Sequence, residues 1–222
     1  MMAAGRLRRP SEARRPGWAR RLRLKTGVRH QPNHLADCRS PRNHLHSSHV
    51  LVGTIRRCLP ADHTAILAII NVAAERYRGA IPIDCWHEPY MPAEQFERDV
   101  AAGVAFWAYV DEGGEPVGVM GLQPVSDVDL VRHAYVRPDR QGQGVGGRLL
   151  RYIEGLSARR ILIGTWADAT WAIRFYQGHD YTLVPPGQAA ELLRRYWTIS
   201  PRQLETSVVL AKPPIVGQAT AG

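Results

Sequence analysis

The spacing of apolar and polar positions changes character at about Val50. Ahead of that point Arg, Pro and His dominate and no apolar period is sustained. Such a segment cannot bury enough surface to offset the entropy of ordering, so residues 1–50 read as a disordered Arg/His-rich tail. From Val52 the pattern becomes regular. Thr54 to Cys58 reads as a short strand ended by Pro60, and Asp62 stands where it would cap a helix carrying Ala65, Ile66, Ile69, Ile70 and Ala73 on one face. Gly79 to Met91, with Pro82 and Pro89, breaks the period and reads as a loop. Pro92 and Glu94 then open a second helix that runs to about Ala102.

Two β-rich runs, Phe106 to Val110 and Pro116 to Gln123, flank the turn Asp111-Glu112-Gly113-Gly114 and predict an antiparallel hairpin. A third run, Val128 to Val136, stops at Arg137-Pro138. A glycine-rich turn leads into a helix with Val145, Leu149, Ile153 and Leu156 on one face, followed by a buried strand at Ile161-Leu162-Ile163. Trp171 to Gln177 predicts a short helix, Tyr181 to Val184 a strand, Ala189 to Tyr196 a helix, and Thr206 to Leu210 a last strand. This order is α+β, or mixed α/β, with one strand–helix–strand crossover at its centre. A chain of 222 residues, 45% hydrophobic, predicts one sizeable core: a domain over 51–212, with 213–222 as a flexible C-terminal tail.

Charge at first points elsewhere, because the chain carries +9, which ordinarily raises nucleic acid or an acidic membrane as a partner. The distribution removes that reading. Residues 1–50 hold 12 of the 29 basic residues and only Glu12 and Asp37 among the acidic ones, so the rest is one charge short of neutral. For the tail, a nucleic-acid-binding arm, an organelle transit peptide and a metal patch of His30, His34, His44, His46 and His49 compete with an upstream stretch translated from a start codon assigned too early. Cys38, Cys58 and Cys85 fit no paired framework, which favours a reducing, cytoplasmic setting. No apolar run approaches a membrane span.

The segment Val136 to Leu150, VRPDRQGQGVGGRLL, carries the chemistry. A strand enters a tight loop and then directly an amphipathic helix. Clustered glycines let backbone N–H groups approach an anion, and the helix N-terminus favours negative charge, so the segment predicts a pyrophosphate cradle. A Walker loop is excluded by the absence of lysine. Gly142, Gly144 and Gly147 do satisfy G-x-G-x-x-G, but the preceding hairpin does not fit a chain opening with a parallel βαβ unit.

Gln141-Gly142-Gln143-Gly144-Val145-Gly146 resembles the Q/R-x-x-G-x-G/A acyl-CoA signature of the GNAT superfamily, and Ala172-Ile173-Arg174-Phe175-Tyr176 resembles that family's A-x-x-F-Y segment. The order of elements from Thr54 to Leu210 agrees. Two departures are Ala169, where the family usually has Asn, and Asp180-Tyr181, where it usually has Gly-Phe; Asp is able to take the left-handed conformation that Gly would supply. The resemblance implies the GNAT acyl-CoA N-acyltransferase fold, a central mixed, mostly antiparallel sheet of six to seven strands flanked by helices. It implies an N-acetyltransferase that moves the acetyl group of acetyl-CoA, a co-substrate, to a primary amine of a small molecule or peptide by direct attack in a ternary complex. No metal is implied. Transfer of another acyl group and a non-catalytic CoA-binding sensor are the alternatives. The implied CoA-binding residues are Ala134, Tyr135, Val136, Gln141, Gly142, Gln143, Gly144, Val145, Gly146, Gly147 and Phe175. An amine acceptor is the expected partner; nucleic acid and membrane are not, and a homodimer is left open.

An alkyl ammonium has a pKa of about 10.4, so something must accept its proton, while the thioester carbonyl must be polarised and the leaving thiolate protonated. By the resemblance, a backbone N–H at Val136 or Ala134 binds the carbonyl and Tyr176 protonates the thiolate. The base is unresolved. In a regular strand Asp129 and His133 share one face and Leu130, Arg132 and Ala134 the other. The resemblance suggests that the even-numbered face meets the acceptor, which would leave it without a carboxylate; a bulge would reverse that parity. His133, Glu88 and His87 are the candidates, a water relay the alternative. Arg132, if it faces the acceptor, would suit an acidic group on the substrate.

Overall fold

A computed structural model describes residues 52–215. The tail 1–50, with its histidines and Cys38, and most of the predicted C-terminal tail lie outside the described residues. The chain runs β1 (Gly53–Arg57), α1 (His63–Ala74), α2 (Ala93–Ala101), β2 (Ala105–Asp111), β3 (Pro116–Val125), β4 (Val128–Val136), α3 (Val145–Leu156), β5 (Arg160–Trp166), α4 (Thr170–Gln177), β6 (Thr182–Leu183), α5 (Pro186–Tyr196), α6 (Pro201–Thr206) and β7 (Ser207–Lys212). The strands form one sheet in the order β1-β2-β3-β4-β5-β7-β6. Every neighbouring pair is antiparallel except β4 with β5, which the α3 crossover joins in parallel. The architecture is the mixed, mostly antiparallel sheet that the family resemblance implies. None of the described helices is long and apolar enough to cross a membrane.

Alternation along the strands sends successive side chains to opposite faces. On one face Leu149, Leu150 and Ile153 of α3 pack against Met120, Leu122, Val131, Ile161 and Ile163. These three helix residues are fully buried, each contributing about 2 kcal/mol by removal from water. The opposite face is covered in two parts. Ile66, Ile69, Ile70 and Phe96 of α1 and α2 lie over Phe106, Ala108 and Val119, while Leu193 and Tyr196 of α5 lie over Leu130, Leu162 and Val209.

Local chemistry departs from the sequence expectation in two places. Asp62 does not cap α1 through its side chain. A short turn at Pro60–Asp62 precedes the helix, and the carboxylate reaches back to accept from the Arg56 guanidinium at 2.8 Å and from the Leu59 N–H at 2.7 Å. Those donors hold its carboxyl down to about 2. The second departure is α6, where Ser200 and Gln203 form a reciprocal capping box with Pro201 at the first position.

Candidate active site

The site is built where β4 leaves its neighbours. Its pairing with β5 ends at Val131 opposite Ile163, although the two strands run on to Val136 and Trp166. They diverge beyond that point. On the other side Val119 pairs with Tyr135 but Gly121 pairs with Arg132, so His133 and Ala134 together oppose Met120. This is a bulge, with His133 at φ 50°. Its consequence is the reversal of parity. Arg132 and His133 both turn toward α2 and reach Asp99, whereas Ala134 and Val136 pack on the α3 face and Tyr135 toward α1. Asp129 and His133 therefore do not share a face. Asp129 is buried and accepts from Ser157 Oγ at 2.6 Å.

The loop after β4 is shaped by backbone. Gly142 and Gly144 have φ 73° and 88°, a region that L residues rarely adopt, and no heavy atom stands within 4 Å of where a Cβ on either would lie. The first intrahelical bond of α3 runs from Arg148 N–H to Gly144 O, so the amides of Val145, Gly146 and Gly147 have no partner within the helix. Gly146 and Gly147 serve another purpose. A Cβ on Gly147 would stand 2.8 Å from His179 Nε2, and one on Gly146 3.4 Å from the Phe175 ring, so both permit close packing of α3 on α4 and the residues after it. Gln141 Nε2 donates to Val136 O at 2.9 Å while its Oε1 accepts from Arg76 at 2.8 Å, fixing the loop to the end of β4 and to the segment after α1. Gln143 folds back onto Asp139 O.

A cavity of about 490 Å³ opens in front of this loop, with Val136, Gly142, Gly144 and Phe175 in its walls and Arg140 and Arg151 at its edge. Amides without a partner in the helix, open space at the two positive-φ glycines, the Arg151 guanidinium and an apolar continuation fit a pyrophosphate bearing a thioester arm.

A second cavity of about 300 Å³ lies beyond the divergence of β4 and β5. Tyr77, Ala134, Tyr135 and Tyr176 line both cavities, so these residues mark where the two meet. Burial pushes the Tyr176 phenol well above its ordinary value, with Tyr77 adding to the effect. Burial does the same to Tyr135 and pushes Tyr77 up to about 12. All three hold their protons at neutral pH.

In the second cavity the His133 side chain, 10% exposed, meets Asp99 Oδ2 at 2.9 Å. Burial lowers the His133 pKa against the opposing pull of Asp99. At Asp99 burial opposes ionisation, but the His133 hydrogen bond and the nearby positive charges outweigh it, and the carboxyl titrates below its ordinary value. The consistent state is a carboxylate accepting from His133 Nε2–H, which leaves Nδ1 as the basic nitrogen. Arg132 is engaged by Asp99 at 3.4 Å and by Gln123 at 2.7 Å. His87 lines this cavity and stacks on Tyr90. Glu88 lines neither cavity; it is two-thirds exposed and accepts from Arg78 at 2.7 Å. Asp99 escaped the sequence reading, yet a signal was present: it sits three residues after the buried Phe96, an acidic group on the inward stripe of an otherwise amphipathic helix. Among the described residues no cluster of three or more His, Cys, Asp or Glu is gathered as for a metal.

Comparison with known proteins bears on the same segment. Residues 102–183 match the family model described as an acetyltransferase (GNAT) domain. An acetyltransferase from Thermus thermophilus is 17% identical, with a TM-score of 0.55 over 75% of this chain and 99% of its own. The ribosomal-protein-S18-alanine N-acetyltransferase of Escherichia coli is 17% identical, with a TM-score of 0.52 over 76% and 98%. The PaiA N-acetyltransferase of Thermoplasma acidophilum, in complex with coenzyme A, is 11% identical, with a TM-score of 0.54 over 72% and 98%. At these identities the likeness to solved structures is one of fold. No curated protein matches the sequence. The family match is carried by residues 102–183, and the fold agrees with it.

Proposed function

We propose that this domain, over 51–212, transfers the acetyl group of acetyl-CoA to a primary amine by direct attack in a ternary complex. The observation that carries the reading is the meeting of the two cavities at Tyr77, Ala134, Tyr135 and Tyr176, with an amide cradle on one side and an Asp–His pair on the other. Bound acetyl-CoA supplies the activated acyl group. The loop amides from Gly142 to Gly147 hold its pyrophosphate, and Ala134, Tyr135, Val136 and Phe175 flank its arm. A backbone N–H at Ala134 or Val136, on the part of β4 that has left β5, polarises the carbonyl.

His133 Nδ1 takes the proton of the acceptor ammonium, directly or through water, and Asp99 orients the ring and stabilises the imidazolium that results. Tyr176 donates its phenolic proton to the departing thiolate. Exposed and paired with Arg78, Glu88 has no role in this scheme. Free thiols at Cys58 and Cys85 suit a cytoplasmic setting. A CoA-binding sensor of the same fold would need neither a lowered-pKa histidine nor a buried phenol at the junction. The deciding experiment follows free thiol release from acetyl-CoA by the purified chain across an amine library, beside calorimetry of acetyl-CoA binding. Amine-dependent release is expected; binding without release for every amine would favour the sensor.

A further inference from the structure

The charged groups of the acceptor cavity satisfy one another. Asp99 and Arg132 are the only Asp, Glu, Lys or Arg among its described lining residues. Asp99 Oδ1 accepts from Arg132 and Oδ2 from His133, and the remaining Arg132 contact goes to Gln123. A substrate with a second ammonium finds no free carboxylate there, and one with a carboxylate finds no unengaged guanidinium.

The wall that remains sets the rings of Tyr90, Trp166 and Trp197 among the uncharged polar side chains of Gln95, Thr165, Thr198, Gln203 and Ser207. Trp197, just past α5, presses against β5 at Gly164: a Cβ there would stand 3.3 Å from Trp197 Cε2 and 3.4 Å from Cζ2. Gly164 is the first β5 residue beyond the last pair with β4, so the indole occupies the mouth of the divergence. Aromatic faces stack on flat apolar groups and attract an ammonium through the ring quadrupole. A cavity of about 300 Å³ lies at the small end for ligand sites.

We infer, on the acetyltransferase reading above, that the acceptor is a compact primary monoamine with a flat, uncharged body and no second charged group. The ammonium sits toward the tyrosines and His133, and the body lies against Trp197. Removing the indole therefore weakens acceptor binding without touching the acetyl-CoA side.

The test compares kcat/KM for 2-phenylethylamine, putrescine, phenylalanine and an uncharged-side-chain tripeptide at saturating acetyl-CoA. 2-Phenylethylamine is expected to exceed each of the others by about 10-fold or more, the scale of a desolvated apolar contact set against an unpaired charge. Trp197→Ala should raise its KM by a similar factor, with unchanged acetyl-CoA affinity by calorimetry. Should that variant fail to fold, Gly164→Ala, which displaces the indole by a few tenths of an ångström, should raise KM severalfold. A chain that binds acetyl-CoA yet acetylates putrescine, phenylalanine or the tripeptide as well as 2-phenylethylamine, or acetylates none of the four, overturns the inference and leaves acetyl transfer standing. Unchanged KM in folded variants overturns it too. Failure to bind acetyl-CoA would instead remove the reading on which it rests.

Discussion

The two cavities are made in different ways. The larger centres on one stretch, the end of β4, the loop and the first turn of α3, with two glycines at positive φ, while α1, β3 and α4 complete its walls. The smaller gathers side chains from the segment after α1, the loop before α2, α2 itself, β4, β5 and the residues after α5. One is set by where the chain is allowed to bend, the other by which side chains the finished fold brings together. Side-chain changes on the acceptor side should therefore damage chemistry and spare nucleotide binding, while a backbone-blocking change in the loop should do the reverse.

The strongest attack on this contrast is His133→Ala, for which we expect kcat to fall by about 10³-fold, within the range of general-base loss, at unchanged acetyl-CoA affinity by calorimetry. A variant retaining wild-type turnover would assign proton removal to water. Tyr176→Phe keeps the ring and removes the donor. Turnover should fall on the order of 10²-fold with nearly unchanged affinity, the signature of an interaction made chiefly in the transition state; a wild-type single-turnover rate would make Tyr176 a packing residue.

Gly144→Val tests the other side. It places a β-branched residue at φ 88° and a side chain in the space before the cradle, and acetyl-CoA affinity should weaken by about 10-fold or more. Unchanged affinity in a folded variant would sink the cradle. A finer probe is pH. The rate needs neutral His133, whose pKa lies below its ordinary value, so kcat/KM should be full at neutral pH and fall as pH drops through that lowered pKa. Asp99→Asn removes interactions that raise it, so the acid limb should move to lower pH still while the plateau declines with the weaker base. An unmoved limb would mean that another group titrates. The smallest effect expected is that of deleting residues 1–50: thermal unfolding should shift by no more than about 2 °C, less than the loss of one ordinary contact would cause.

The cavities also differ in how far the sequence announces them. Glycine clusters and helical periods are local, so the glycine turn, the α3 helix and the order of strands could be read directly, down to Asp180 taking φ 68° in place of a family glycine. The bulge could be raised but not placed, because histidine tolerates positive φ at many positions; the tertiary demand of Asp99, thirty-four positions away, accompanies it. Glu88 had only its loop position to recommend it, and Arg78 claims its carboxylate at the surface. Asp62 had the right spacing for a cap but a better donor in Arg56. The α6 helix was announced by Ser200-Pro201 and Gln203 but is six residues long, too short for a period to register.

The position of β7 carries a consequence for synthesis on the ribosome. It lies between β5 and β6 in the sheet although both precede it in the chain. While the nascent chain waits for Ser207 to Lys212, β5 displays one row of free N–H and C=O groups beside the apolar run Ile161-Leu162-Ile163, a template on which another unfinished chain is able to pair. β6 gives no cover, since its own partner is β7. The loop and helix that line the larger cavity are complete before this stage, whereas the wall of the smaller one waits for it. On the proposed function, bound acetyl-CoA would thus find its cradle on a translation intermediate and hold that half of the domain together until the final strand seals the sheet.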